Sequence, residues 1–381
     1  MKTNFGKGLL AFSEGDYKQA FSFFEKSHRE NIPSDKHLTL YNTGLSLIFL
    51  GDLVLAEDYF LKALRNFPDH ADTLHWIAYI NFRKGQLSTA EDHYLSSLKS
   101  HLRSQTSING SIHFFIEQGL NGEEIKSFLN KNGVQLKANE NFYFKLADPV
   151  NVSIDSNIIF SLIGIDPRST MQKSINNYGC YEPLMVNKIL KHVGESDIVY
   201  DIGAHIGYYS CIFNSVTESK KVVSLEPDFY SSNLIKRNTN ERGIVVNKFI
   251  GSELGHNTTT LNDLSSMLSL EPSVIKMDIE GAEVEAFEGG WELIRNLRPQ
   301  IFLEIHPKFI HKRNPKAFEK LVAELFKIYN MEYARNHWGP IKGKETFESE
   351  WKKATPDIIF NIANDIIFND QRPNAFAMHC F

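Results

Sequence analysis

A chain of 381 residues, 42% hydrophobic and 23% charged, has an ordinary globular composition and is long enough for two domains with cores of their own. The net charge of −5 argues against an electrostatic nucleic-acid binder. Three cysteines without metal-ligand spacing exclude a disulfide framework, and no apolar run reaches signal-peptide or membrane-span length, which together predict a cytoplasmic protein with no membrane span.

The first third repeats itself. GLLAFSEGDYKQAFSFFEKS from Gly8, GLSLIFLGDLVLAEDYFLKAL from Gly44 and AYINFRKGQLSTAEDHYLSSL from Ala78 align at offsets of 36 and 34 residues. Each begins on a small residue (Gly8, Gly44, Ala78), has a glycine seven positions on (Gly15, Gly51, Gly85), then an alanine (Ala20, Ala56, Ala90) and an aromatic (Phe24, Phe60, Tyr94). Small residues let paired helices approach, the glycine ends the first helix, and the aromatic is expected to fill the gap between repeats. This order resembles tetratricopeptide repeats (TPR), with Pro68 where that family often closes a repeat. The resemblance implies an α-solenoid whose concave face takes a peptide or protein partner, or else a packing or dimerisation module, which leaves a homo-oligomer open. The positions where some such arrays carry an asparagine ladder hold Gly6, Asn42 and Trp76, so no ladder is present. Residues 101–135 read as helices capping the array, and the expected domains are 1–138 and 139–381.

From residue 139 strand-like alternation sets in, and then strands alternate with helices. Ile198–Ile202 is a short apolar strand, followed by a glycine turn and a helix from Gly207 to Val216. VVSLEPD is a second strand, SNLIKRNTNERG a helix, and IVVNKFI a third strand. VIKMDIEGAE and RPQIFLEIHP supply the fourth and fifth, with the amphipathic VEAFEGGWELIRNL between them. DIIFNIANDIIFND and NAFAMHCF read as late strands, and residues 170–179 and 337–347 as loops that shape acceptor choice. This alternation predicts a parallel sheet covered on both faces, with ligands at the carboxyl ends of its strands.

Those ends carry acids and glycines. The first strand runs into Asp201-Ile202-Gly203-Ala204-His205-Ile206-Gly207, which lacks the middle glycine of a dinucleotide fingerprint. A carboxylate there repels a pyrophosphate and suits a cationic, amine-bearing ligand such as S-adenosylmethionine. Glu226 ends the second strand, where an acid can accept both hydroxyls of a ribose.

YEP at 181–183, VYDIGAHIGYYS, SLEPD, TTTLNDL, IKMDIEGAE and RPQIFLEIHP stand in the order seen in FkbM-type methyltransferases, over roughly residues 175–310. The resemblance implies a class I (Rossmann-like) domain with a mostly parallel seven-stranded sheet, S-adenosyl-L-methionine as cofactor, and O-methylation of a sugar, glycan or small-molecule hydroxyl. Carried over, Asp201, Gly203, Ala204 and Gly207 would cradle the methionine part, with Glu226 on the ribose. His205 is packing at the helix start or part of the site. The segment FIGSELGHN is short where the family makes adenine contacts, which leaves Ser252 or Glu253. Asp263 reads as a cap, and Tyr181 and Glu182 as a cofactor lid or helix-start packing.

A neutral hydroxyl is a weak nucleophile, so a general base is expected at the central strand ends. Strand alternation places Lys276, Asp278 and Glu280 on one face, and Glu304 and His306 on the corresponding face of the next strand. Lys276 is expected to neutralise an acid. His306 has the side-chain type suited to a base, and Asp278 contacts cofactor, orients substrate or belongs to a structural ion-pair network. Glu283 is read as favouring a helix N-terminus. Oxygen-rich clusters hold divalent ions or form plain salt bridges, and no metal ligand is assigned. The alternative from another class is a non-catalytic TPR scaffold with a methyltransferase-like binding domain. A glycosyltransferase lacks its D-x-D motif here, and a nucleic-acid methyltransferase its N-P-P-Y or D-P-P-Y loop.

Overall fold

Gly15 and Gly51 adopt left-handed φ values of 79° and 85°, which a side chain would oppose. Each is followed by an aspartate that caps the next helix, Asp16 accepting from the Gln19 amide and Asp52 from that of Leu55. These Gly-Asp turns join the helices of the first unit in the computed structural model, which describes residues 3–30, 36–337, 350–368 and 375–381. The chain divides into two units, Met1–Asp148 and Pro149–Phe381.

In the first unit the aligned segments become helical pairs: α1 (Asn4–Ser13) with α2 (Tyr17–Arg29), α3 (Lys36–Leu50) with α4 (Leu53–Asn66), and α5 (Ala71–Arg83) with α6 (Leu87–Lys99). Phe24 and Phe60 pack within their own pairs. Each ring lies on the glycine of its own pair, so that a Cβ on Gly8 would stand 2.5 Å from Phe24 and one on Gly44 2.8 Å from Phe60. Helices α7 (Gln105–Glu117) and α8 (Gly122–Lys131) follow. The 3-10 helix Ala138–Ala147 packs on both, and Arg103 bonds Glu140 at 3.0 Å. The unit therefore closes after Asp148 and not near 138.

The second unit opens with the antiparallel hairpin β1 (Val150–Ser153) and β2 (Ile159–Leu162), then α9 (Thr170–Tyr178) and α10 (Pro183–Leu190). Residues 170–178 were expected as a loop. They form a helix because Ser169 caps the start, accepting from the Gln172 amide, and Gly179 ends it at a φ of 76°. The loop expected at 337–347 lies, beyond His337, outside the described residues.

The remaining strands are β3 (Val199–Ile202), β4 (Val222–Leu225), β5 (Ile244–Val246), β6 (Phe249–Ile250), β7 (Thr258–Thr259), β8 (Val274–Met277), β9 (Gln300–Ile305), β10 (Met331–Ala334), β11 (Lys352–Lys353) and β12 (Phe376–Cys380). The main sheet has the order β11-β10-β12-β9-β8-β3-β4-β5. It is a mixed sheet of eight strands, not a mostly parallel one of seven. Neighbours from β9 to β5 are parallel, whereas β12 runs against both β9 and β10, and β11 adds an antiparallel edge of two residue pairs. Strands β3, β4 and β8 are buried at every position, as expected when helices cover both faces.

The helices here are α11 (Tyr208–Val216), α12 (Phe229–Asn238), α13 (Leu261–Leu268), α14 (Glu283–Glu288), α15 (Trp291–Leu297), α16 (Pro307–Arg313), α17 (Ala317–Ile328) and α18 (Pro356–Phe368). Three expectations change. DIIFNIANDIIF is helix α18, because its buried residues Ile359, Ala363 and Ile366 follow helical spacing. IVVNKFI breaks between β5 and β6, where Asn247 donates to the carbonyls of Glu226 and Pro227. The amphipathic stretch after β8 is two helices, split at Gly289, where a Cβ would lie 2.2 Å from the Gly251 carbonyl oxygen.

Chain order reverses between β3, which leads to β4 and β5, and β8, which leads to β9. A crevice at the carboxyl ends of such a pair is where open sheets bind ligands.

Candidate active site

The turn after β3 is tied to β4, since the amides of Gly203 and Ala204 both donate to the Leu225 carbonyl. Gly203 has a φ of 79°, and a Cβ there would stand 1.9 Å from the Asp278 carbonyl oxygen. Glycine thus lets the β3 turn touch the end of β8, and the Asp278 amide donates to Ile202 across the same gap. Gly207 also has a positive φ, 91°, where α11 starts. Ala204 is buried, and His205 is exposed with a φ of 51°.

Glu226, nearly buried, receives the His205 amide on Oε2 at 2.8 Å and the Asp228 amide on Oε1 at 2.9 Å. Burial pushes its carboxyl up to about 7, against the pull of those two amides. Asp201 sits behind the turn, not on its surface. It has no exposed area, accepts from Ser210 Oγ at 2.6 Å and pairs in register with Lys276, so it is withdrawn from any ligand in the crevice. Ser252 is exposed in the turn between β6 and β7. Asp263 accepts from the Thr260 hydroxyl at the start of α13.

The charged residues gather at the ends of β8 and β9, with one change of cause. Strand β8 stops at Met277, so alternation does not place Glu280. A turn does, with Glu280 at a φ of 52° and Gly281 at 99°. Lys276 is buried, with its ammonium 3.6 Å from Asp278 Oδ2 and 4.6 Å above the Tyr209 ring. Burial opposes its charge, but Asp278, Asp201, Glu182 and Glu304 outweigh that and raise its pKa.

His306 is enclosed by carboxylates. Its Nδ1 lies 2.9 Å from Glu283 Oε1, and its Nε2 lies 3.6 Å from Glu280, 3.6 Å from Glu304 and 4.0 Å from Asp278. Burial lowers the imidazole pKa, yet Glu283 first and then Glu304 and Asp278 carry it up to about 9. Near neutral pH it holds its proton, which does not suit the general base expected of it. Burial raises Glu304 to about 7, and its Oε2 lies 2.9 Å from Nε2 of the buried His337.

Three residues were missed or underrated. Glu283 is fully buried and orients His306, beyond any effect on its helix. Glu182 is buried at a φ of 50°, with Oε2 accepting from Tyr209 at 2.5 Å. The Tyr181 hydroxyl faces Glu182, and burial with the nearby acids raises its pKa. His337 opens the segment 337–347 read as shaping acceptor choice, but nothing singled out its imidazole, which has no periodic relation to the motifs.

Residues 251–333 match the family model of the methyltransferase FkbM domain. The matched residues contain β8, β9 and the charged side chains from Lys276 to His306, while Asp201, the glycine turn and Glu226 precede them. No curated protein matches the chain. Among solved structures, methyltransferase FkbM from Methylobacillus flagellatus is 13% identical, with a TM-score of 0.34, covering 79% of this chain and 70% of that one. Precorrin-6y C5,15-methyltransferase from Geobacter metallireducens is 13% identical, with a TM-score of 0.31, covering 52% and 86%.

Proposed function

We propose that the second unit is an S-adenosylmethionine-dependent O-methyltransferase acting on a hydroxyl of a sugar, glycan or related small molecule. The observation that carries this reading is the contact of Gly203 with Asp278, which puts the glycine turn and Glu226 beside the charged ends of β8 and β9 at the reversal of strand order. The match of residues 251–333 to the FkbM domain supports the same reading.

The cradle fits this cofactor in its donor chemistry. Each Glu226 oxygen is oriented by one backbone amide and keeps a lone pair for a ribose hydroxyl. Gly203, Ala204 and Gly207 hold the backbone close to the methionine part, and Asp201 acts through Ser210 and Lys276 as a positioning residue. Bound S-adenosylmethionine supplies an activated methyl group. Asp278, half-buried and paired to Lys276, orients the acceptor hydroxyl and takes its proton, while cationic His306 holds Asp278, Glu280 and Glu304 in place. Tyr181 stands at the rim, and the helical pairs of the first unit recruit a protein partner or substrate carrier.

Calorimetry with S-adenosylmethionine tests this. Wild type is expected to bind, and Glu226→Ala to bind at least tenfold more weakly. A wild type that binds nothing would overturn the enzyme reading and favour a scaffold. With binding in hand, labelled methyl transfer to sugar nucleotides and glycans tests the acceptor class.

A further inference from the structure

Glu182, Glu304 and His337 come from three separate places, the start of α10, strand β9 and the segment after β10, and all three are buried. Glu304 Oε2 lies 2.9 Å and Glu182 Oε1 3.8 Å from His337 Nε2, and one donor atom from each residue falls within 4.8 Å of the others. Donors about 2.0–2.2 Å from a first-row divalent ion have this mutual spacing. Glu182 is also oriented from outside, because the Tyr209 hydroxyl occupies its other oxygen. That is how protein groups aim a ligating carboxylate. Asp278, Glu280 and His306 form a second such group, joined to the first where His306 Nε2 meets Glu304 Oε1 at 3.6 Å.

The charge around this trio is a separate observation. Glu182, Asp201, Asp278, Glu283 and Glu304 are buried or half-buried, whereas the Glu280 side chain is 74% exposed and solvated. Against those five carboxylates stand Lys276 and His306, and His337 when protonated. Two wholly buried carboxylate oxygens, Asp201 Oδ1 and Glu283 Oε2, accept no hydrogen bond among the described residues. Interior carboxylates left without compensation are costly. A divalent ion beside Glu182 and Glu304 would compensate part of that charge.

We propose that Glu182, Glu304 and His337 bind a divalent first-row metal ion of the Mn2+ type, beside the Asp278–His306 rim. Oxygen-rich ligation with one imidazole suits such ions. For the metal's role the inference rests on the methyltransferase reading: an acceptor hydroxyl coordinated to the ion becomes more acidic and passes its proton to Asp278. The binding site itself does not depend on that reading.

The full chain, stripped with EDTA and titrated with Mn2+ alone, tests the site by electron paramagnetic resonance. One tightly held Mn2+ per chain is expected, with nitrogen modulation from an imidazole and a raised melting temperature. Glu304→Gln and Glu182→Gln should each weaken binding about tenfold or more, and Tyr209→Phe, which keeps the ring packing, about tenfold. Glu288→Gln, at an exposed position of α14, should leave it unchanged. No stoichiometric Mn2+, or wild-type affinity in a folded Glu304→Gln protein, overturns the proposal. Mn2+ binding without S-adenosylmethionine binding would sustain the metal site and overturn only the methyltransferase reading.

Discussion

His306 Nδ1 lies 2.9 Å from Glu283 Oε1, which joins the residue after β9 to the first turn of α14 in a pair hidden from solvent. Removing one member of a buried charged pair leaves the other uncompensated, at about 3–5 kcal/mol. Glu283→Ala should therefore lower the denaturation midpoint strongly, and Glu283→Gln less, because an amide oxygen still accepts from the ring. Equal stability of Glu283→Ala and wild type would remove the pair from the structural core of the site.

The same pair sets a pH dependence in metal-free protein. His306 titrates near 9 in the folded state against an ordinary 6.5. The folded protein therefore holds a proton that the unfolded chain releases, and this contribution is full below 6.5 and lost as pH rises through 9. Denaturant unfolding across pH 6 to 10 should give a falling stability in wild type and a flatter profile in Glu283→Gln. NMR of the His306 ring should place its titration lower in that variant.

Glu226 gives an opposite pattern for binding and for folding. Its carboxyl rises from 4.5 to about 7 on burial, so the folded state binds the extra proton and stability declines as pH rises between these values. The span is worth up to about 3 kcal/mol. The ionised carboxylate is the better acceptor for a ribose diol, so S-adenosylmethionine affinity should increase through pH 7. Glu226→Gln should abolish the affinity slope and only lessen the stability slope, to which Glu304 also contributes, and a wild-type affinity that does not change with pH would refute the assignment.

Gly203→Ala combines a φ of 79° with a Cβ 1.9 Å from the Asp278 carbonyl oxygen. Strain of this kind costs about 1–3 kcal/mol, and the turn must also move away from β8. Thermal melting should show the loss, and calorimetry should show cofactor binding fall further than stability alone explains. Wild-type affinity would mean that the turn does not shape the cradle.

In the first unit, Gly44→Val would press on the Phe60 ring, which already lies 2.8 Å from the site of a Cβ. Overpacking of a filled core costs about 1–3 kcal/mol. The melting temperature should fall, while Asp58→Asn on the exposed side of α4 should change it little.

Much of this architecture was legible beforehand. The repeated glycine, alanine and aromatic positions anticipated three helical pairs, and the apolar runs before Asp201, Glu226 and Asp278 anticipated β3, β4 and β8. Helix and strand were confused at Ile358–Phe368, where short apolar runs broken by Asn361, Asn364 and Asp365 fit either period and only the burial of Ile359, Ala363 and Ile366 decides. Lys276, Asp278, Glu304 and His306 do lie near one another at the ends of two adjacent strands. Glu280 was grouped with them for the wrong reason, since the turn at Glu280 and Gly281 replaces strand alternation.

The sequence by itself determined which segments pair and where the glycine turn and its acids fall, because periodicity and backbone freedom are local properties. Only the tertiary structure brought Glu182, Glu283 and His337 onto Glu304 and His306, since nothing local relates residues so far apart in the chain. It also decided which of them carry charge. An imidazole is a base or a cation according to the carboxylates packed around it, and at His306 they outweigh burial.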